Sequence, residues 1–113
     1  SSISASYRAN AILMDNLGGA ARFYSLGSDN STGGSYQFNS LSANASAGSG
    51  TVMTIKNNGN VGIGTISPAS KLEVDGGDIE VDDSASGLIL RSPDGTRYRV
   101  TVANGGTLSV AAV

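Results

Sequence analysis

Between Asn60 and Thr65 a β-branched residue alternates with glycine, as Val61-Gly62-Ile63-Gly64. Drawn as a strand, this run carries side chains on one face and none on the other, because successive residues point to opposite sides of a sheet. Glycine inside a strand costs roughly 0.5–1 kcal/mol against alanine, so the pattern predicts another backbone close to the bare side. Copies of the same chain are the economical source of that backbone. Three parallel chains about an axis supply it with Gly62 and Gly64 turned inward, or else seat Val61 and Ile63 inside. The competing reading places both glycines at bulges or at a tight bend of an ordinary sandwich.

Composition favours the shared arrangement. Leu, Ile, Val and Phe number 8, 7, 8 and 2 among 113 residues, only just above the range in which a chain ceases to fold alone. Ser, Gly and Asn number 18, 16 and 9; these residues favour turns and lose much backbone entropy on ordering. A single domain of this size with so thin a core is marginal as a monomer, so stabilisation from outside the chain is expected.

The chain has neither cysteine nor histidine, which removes disulfides, thiolate chemistry, the usual structural zinc sites and imidazole acid–base catalysis. A net charge of −2 and a pI near 4.7 provide no basic field for a phosphate backbone, so nucleic acid is not expected as a partner. No apolar run is longer than that of residues 11–14, far short of a membrane span, and no membrane insertion is expected.

No segment sustains helical periodicity, and the prediction is an all-β chain. Short β-prone pieces at 11–14, 22–26 and 36–41 precede a Ser/Ala/Gly/Asn stretch at 42–50 that reads as a linker. Residues 52–56 and 61–65 form a hairpin around Asn57-Asn58-Gly59-Asn60. Ser67-Pro68 forces an extended kink, after which 71–75 and 78–82 alternate strictly, with Leu72 and Val74, then Ile79 and Val81, on one side. Three further strands, 87–91, 96–102 and 107–110, form a meander through Ser92-Pro93-Asp94-Gly95 and Ala103-Asn104-Gly105-Gly106. Alternation gives it one face of Leu88, Leu90, Tyr98, Val100, Val102, Leu108 and Val110, and another of Ile89, Arg97, Arg99, Thr101, Thr107 and Ser109. Three parts are expected: an N-terminal β segment (1–50), a shaft motif (51–86) and a C-terminal meander (87–113).

Two stretches carry a resemblance. MTIKNNGNVGIGTISPASKLEV (53–74) resembles a signature of bacteriophage tail-fibre and tailspike proteins, in which a strand, a Gly-Asn-Val-Gly-Ile-Gly-Thr run, Ser-Pro and Lys-Leu-Glu-Val follow one another. GLILRSPDGTRYRVTV (87–102) with GTLSV (106–110) is similar to a module that often closes such proteins. The resemblance covers about residues 51–113. It implies an elongated, intertwined homotrimer of short strands, a triple-stranded β shaft or β-prism, on a virion and in contact with other tail or capsid proteins. In such proteins the first motif often precedes an autocleaving chaperone domain. None is expected here: either it was removed or the trimer forms without one.

The expected trimer interface comprises Val61, Gly62, Ile63, Gly64, Leu72, Val74, Ile79, Val81, Leu88, Leu90, Tyr98, Val100, Val102, Leu108 and Val110. Chemistry beyond assembly is sparse. Gly62-Ile63-Gly64 lacks the third glycine of a dinucleotide loop, and Pro68 stands where a phosphate-binding helix would begin. Asp75, Asp78, Glu80, Asp82 and Asp83 do not have the spacing of a calcium loop and read as a solvated face. Nothing among the nine acidic residues marks a glycosidase pair. Catalytic residues, cofactors and metals are therefore expected to be absent. Arg97 and Arg99 are the candidate contacts for an acidic host polysaccharide, weighed against simply keeping their face wet. Tyr7, Tyr24 and Tyr36 are candidates for a sugar platform, or half-buried strand residues. Asn30-Ser31-Thr32 and Asn44-Ala45-Ser46 match the glycosylation triplet and mark loops. The expected role is structural and host-recognising, in a virion fibre; the alternatives are the non-catalytic end of a polysaccharide-degrading tailspike and a bacterial surface adhesin.

Overall fold

The computed structural model describes residues 12–17, 19–27, 33–40 and 50–113. All regular structure among them is β: β1 (Ile12–Leu17), β2 (Ala20–Ser25), β3 (Tyr36–Ser40), β4 (Gly50–Ile55), β5 (Val61–Ile63), β6 (Leu72–Val74), β7 (Leu88–Arg91), β8 (Arg97–Val102) and β9 (Leu108–Ala112). The chain divides into two compact units, Ser1–Gly77 and Asp78–Val113.

In the first unit β1 and β2 form an antiparallel pair, Ile12 opposite Ser25 and Leu17 opposite Ala20. A second sheet runs β3-β4-β5-β6. It crosses the boundary expected at residue 50, because β3 and β4 are paired neighbours, with a register shift between Phe38 and Asn39. The end of β2 is tied to the start of β3 by several bonds. The Gly34 amide donates to the Ser25 carbonyl at 3.1 Å, the Ser25 hydroxyl donates to the Ser35 carbonyl at 2.8 Å, and the Ser25 amide donates to the Tyr36 hydroxyl at 2.9 Å. That hydroxyl in turn donates to the Phe23 carbonyl.

β4 and β5 form the expected hairpin, Ile55 opposite Val61 and Met53 opposite Ile63, closed by the Gly59 amide on the Lys56 carbonyl at 2.9 Å. β6 then pairs with β5 in parallel, Val61 beside Leu72 and Ile63 beside Val74. Only residues 64–71 connect them, whereas parallel neighbours usually need a dozen residues or more. So short a return must hug the sheet, and that answers the question posed by the glycines. A Cβ on Gly62 would lie 2.6 Å from the Thr65 carbonyl oxygen and 3.3 Å from Pro68 Cδ. The bare side of Gly62 is thus occupied by this chain's own crossover, not by a copy. Gly64 has φ +78° and would meet the Asp75 carbonyl oxygen at 2.3 Å, which ends β5 two residues before the expected Thr65.

The second unit contains the expected meander, β7-β8-β9, antiparallel throughout. Its register sets Leu88 opposite Val100 and Leu90 opposite Tyr98, then Val100 opposite Val110 and Val102 opposite Leu108. The amides of Gly95 and Gly106 close the two turns on Ser92 and Ala103 at 2.9 and 3.0 Å. The strand expected at 78–82 is not formed: the segment enters no ladder. Alternation prepares a segment for a sheet, but only a partner's N–H and C=O groups make it a strand.

Candidate functional site: uncovered apolar sheet faces

Register assigns every strand residue to a face. In the four-stranded sheet, the pairs Tyr36 with Ile55 and Phe38 with Met53, Ile55 with Val61 and Met53 with Ile63, and Val61 with Leu72 and Ile63 with Val74 all fall on one side. Eight apolar or aromatic side chains therefore share a face that the described residues leave partly open: Phe38, Ile63 and Leu72 are exposed, Leu72 at 57%, and the other five are half-buried. The 64–71 crossover lies over part of the opposite face, at Gly62. There Thr54 stands opposite Gly62, is 0% exposed, and has a hydroxyl without a hydrogen-bond partner.

The meander repeats the first situation without the second. Leu88, Leu90, Tyr98, Val100, Val102, Leu108, Val110 and Ala112 share one face by register. Leu88 is 61% exposed and Leu108 73%. No residue from Asp78 to Val113 is buried; among the described residues only Thr54, Gly62 and Pro68 are, and no aliphatic or aromatic side chain other than the Pro68 ring joins them. Full burial of a Leu, Ile or Val is worth about 1.5–3 kcal/mol. The chain leaves most of that unrealised.

The expected interface residues fall into four groups. Val61, Ile63, Leu72 and Val74 lie on the open face of the four-stranded sheet, together with Tyr36, Phe38, Met53 and Ile55, which reading by segments did not join to them. Leu88, Leu90, Tyr98, Val100, Val102, Leu108 and Val110 lie on the open face of the meander. Ile79 and Val81 project from the unpaired segment, both exposed. Gly62 is buried and Gly64 is committed to its left-handed turn.

On the other face of the meander Arg97 and Arg99 are joined by Arg91, directly opposite Arg97. Alternation within the expected strand 87–91 already places Arg91 on this face, beside Ile89. Like charges opposite one another destabilise a sheet. No carboxylate forms an ion pair with these arginines among the described residues; Arg99 contributes the smallest of the effects that lower the Asp83 pKa. The Asp83 pKa is lowered chiefly by the Ala85 amide and the Ser86 hydroxyl, which donate to it at 2.9 and 3.1 Å.

The tyrosine candidates separate. Tyr36 spends its hydroxyl on β2, and Tyr24 carries the Arg22 guanidinium at 5.6 Å from its ring centroid; Tyr7 and both glycosylation triplets lie outside the described residues. No group of three or more acidic side chains among the described residues converges as a metal site. No protein-family model matches the chain, and no curated protein matches it.

Proposed function

We propose that the protein is a non-catalytic, structural segment of a bacteriophage fibre, a tail fibre or tailspike, which assembles as an intertwined homotrimer and presents a surface to the host. The observation that carries this reading is the pair of apolar sheet faces left open while no Leu, Ile, Val, Met, Phe or Tyr side chain is buried among the described residues. Three symmetric copies cover each other's faces by the same contacts, repeated three times. The fibre-like signature at 53–74 and the module at 87–110 supply the phage context, and with it a place on the virion beside other tail or capsid proteins. The surface turned to the host includes Arg97 and Arg99, whose guanidinium groups suit the carboxylates of an acidic polysaccharide.

Sedimentation equilibrium at micromolar concentration tests the assembly. The expected mass is three times 11.3 kDa; a monomer that retains its β signal in circular dichroism overturns the reading.

A further inference from the structure

The three-chain reading places Ile79 and Val81 between chains without saying what they meet, and the following inference rests on that reading. Asp78-Ile79-Glu80-Val81-Asp82 alternates like a strand, is exposed along its whole length, and enters no ladder. Next to it in sequence, β7 is the edge strand of the meander, with one side unpaired. An antiparallel strand laid on that edge with Val81 beside Leu88 brings Ile79 beside Leu90. Both then extend the apolar face. The same register puts Glu80 beside Ile89 and Asp78 beside Arg91, on the face where Arg91 and Arg97 oppose each other without a carboxylate. A slip of one residue would turn all three acids onto the oily face, so the pattern admits only registers of this parity.

We propose that residues 78–82 of one copy pair with the β7 edge of a second copy as a fourth strand of its meander, with the acidic row of one chain neutralising the arginine row of the next. The chain's own β7 is the alternative acceptor. It lies just past a turn in which the Ser86 amide donates to the Asp83 carbonyl at 2.9 Å. Two-residue hairpin loops, however, favour Asn-Gly or Asp-Gly at their centre, and this turn offers Ser84-Ala85. The segment stays unpaired beside it. Around the three-fold axis the exchange closes on itself, so that each β7 edge is both donor's neighbour and acceptor.

The chain has no cysteine, which allows a clean test. Val81→Cys and Leu88→Cys chains are prepared separately, refolded as a mixture and oxidised. Directly opposed residues of an antiparallel pair stand within disulfide reach, so a cross-linked dimer of one chain of each kind is expected, absent when either chain is oxidised alone. If the mixture gives no cross-link although the mass remains that of three chains, the strand exchange is wrong and the assembly stands. Should a chain carrying both substitutions close only upon itself, the pairing is within one chain and the proposal falls. A monomeric mass for the unmodified chain removes both. Charge reversal supplies a second readout: Arg91→Glu should weaken assembly about tenfold or more, and Asp78→Arg in the same chain should restore it. Losses that simply add would overturn the pairing.

Discussion

The four-stranded sheet and the meander are built from similar amounts of apolar residue, yet they finish differently. Part of one face of the four-stranded sheet is closed by the chain itself, because the 64–71 crossover returns across Gly62 and encloses Thr54 completely, while Gln37, Asn39 and Val52 on the same side stay exposed. The meander turns back through two tight loops that reach no further than its own edges, and both its faces stay open. The difference is one of connection. A parallel return passes over a sheet and covers it, whereas an antiparallel turn stays in the plane. A chain with so few large side chains can therefore cover part of one face by a crossover; on the proposed reading the cover for the others comes from neighbouring copies.

The largest expected effect tests that conclusion at the meander. Leu90 faces the proposed interface opposite Tyr98, so Leu90→Asp would bury an unpaired carboxylate in each of three subunits, at several kcal/mol apiece. The variant should sediment as a monomer at micromolar concentration. Ser109→Asp, on the opposite face next to Thr101, should keep the mass of the parent. Equal behaviour of the two variants would mean that the oily face is not where the chains meet.

A smaller effect is expected where the chain covers itself. In Gly62→Ala the new methyl would stand 2.6 Å from the Thr65 carbonyl oxygen, and the crossover must lift, at a cost of about 2–3 kcal/mol. Gly77→Ala meets nothing within 4 Å and should leave stability unchanged or slightly raised. Denaturant unfolding at one fixed protein concentration separates the two. A Gly62→Ala midpoint equal to the parent's would show that the crossover is not pressed against β5.

Legibility in the sequence followed the same division. The meander was readable to its faces because Ser92-Pro93-Asp94-Gly95 and Ala103-Asn104-Gly105-Gly106 fix the turns, and alternation then fixes every side chain. The pairing of β6 with β5 was not, since neither strand carries a sign of its partner and an eight-residue parallel return (64–71) runs against the usual length. Val61-Gly62-Ile63-Gly64 did announce a close backbone, but not whose. Residues 78–82 show the reverse error: periodicity reports a face prepared for a sheet and says nothing about whether an edge is available to receive it.

Beneath the crossover, a modest gain is expected from Thr54→Val. The hydroxyl of Thr54 is enclosed without a partner, and replacing it by a methyl of similar size removes the desolvation cost while keeping the packing; about 1 kcal/mol of stabilisation should follow. The same change at Thr101 in the open meander should do little. A destabilised Thr54→Val would mean that the hydroxyl has a partner under the crossover and that this face is less tightly sealed than its burial indicates.

The smallest effect belongs to the turns of the meander, which hold without any neighbour. The Asp94 pKa is lowered from its ordinary 3.8 chiefly by the Ser92 hydroxyl, and further by the Thr96 amide, which donate at 2.5 and 2.9 Å; Asp83 is lowered in the same direction. A carboxylate whose folded pKa lies below its unfolded one contributes stability above the unfolded value, and loses it as the pH falls through the folded one. Asp94→Asn should accordingly melt slightly below the parent at neutral pH, and the gap should close as the pH drops below 3.8. Because these bonds lie within a single turn, the gap should persist in the monomeric Leu90→Asp background. A gap that vanishes there would place Asp94 among the contacts between chains, and would extend the region that depends on neighbours from the strands into the Ser92–Thr96 turn.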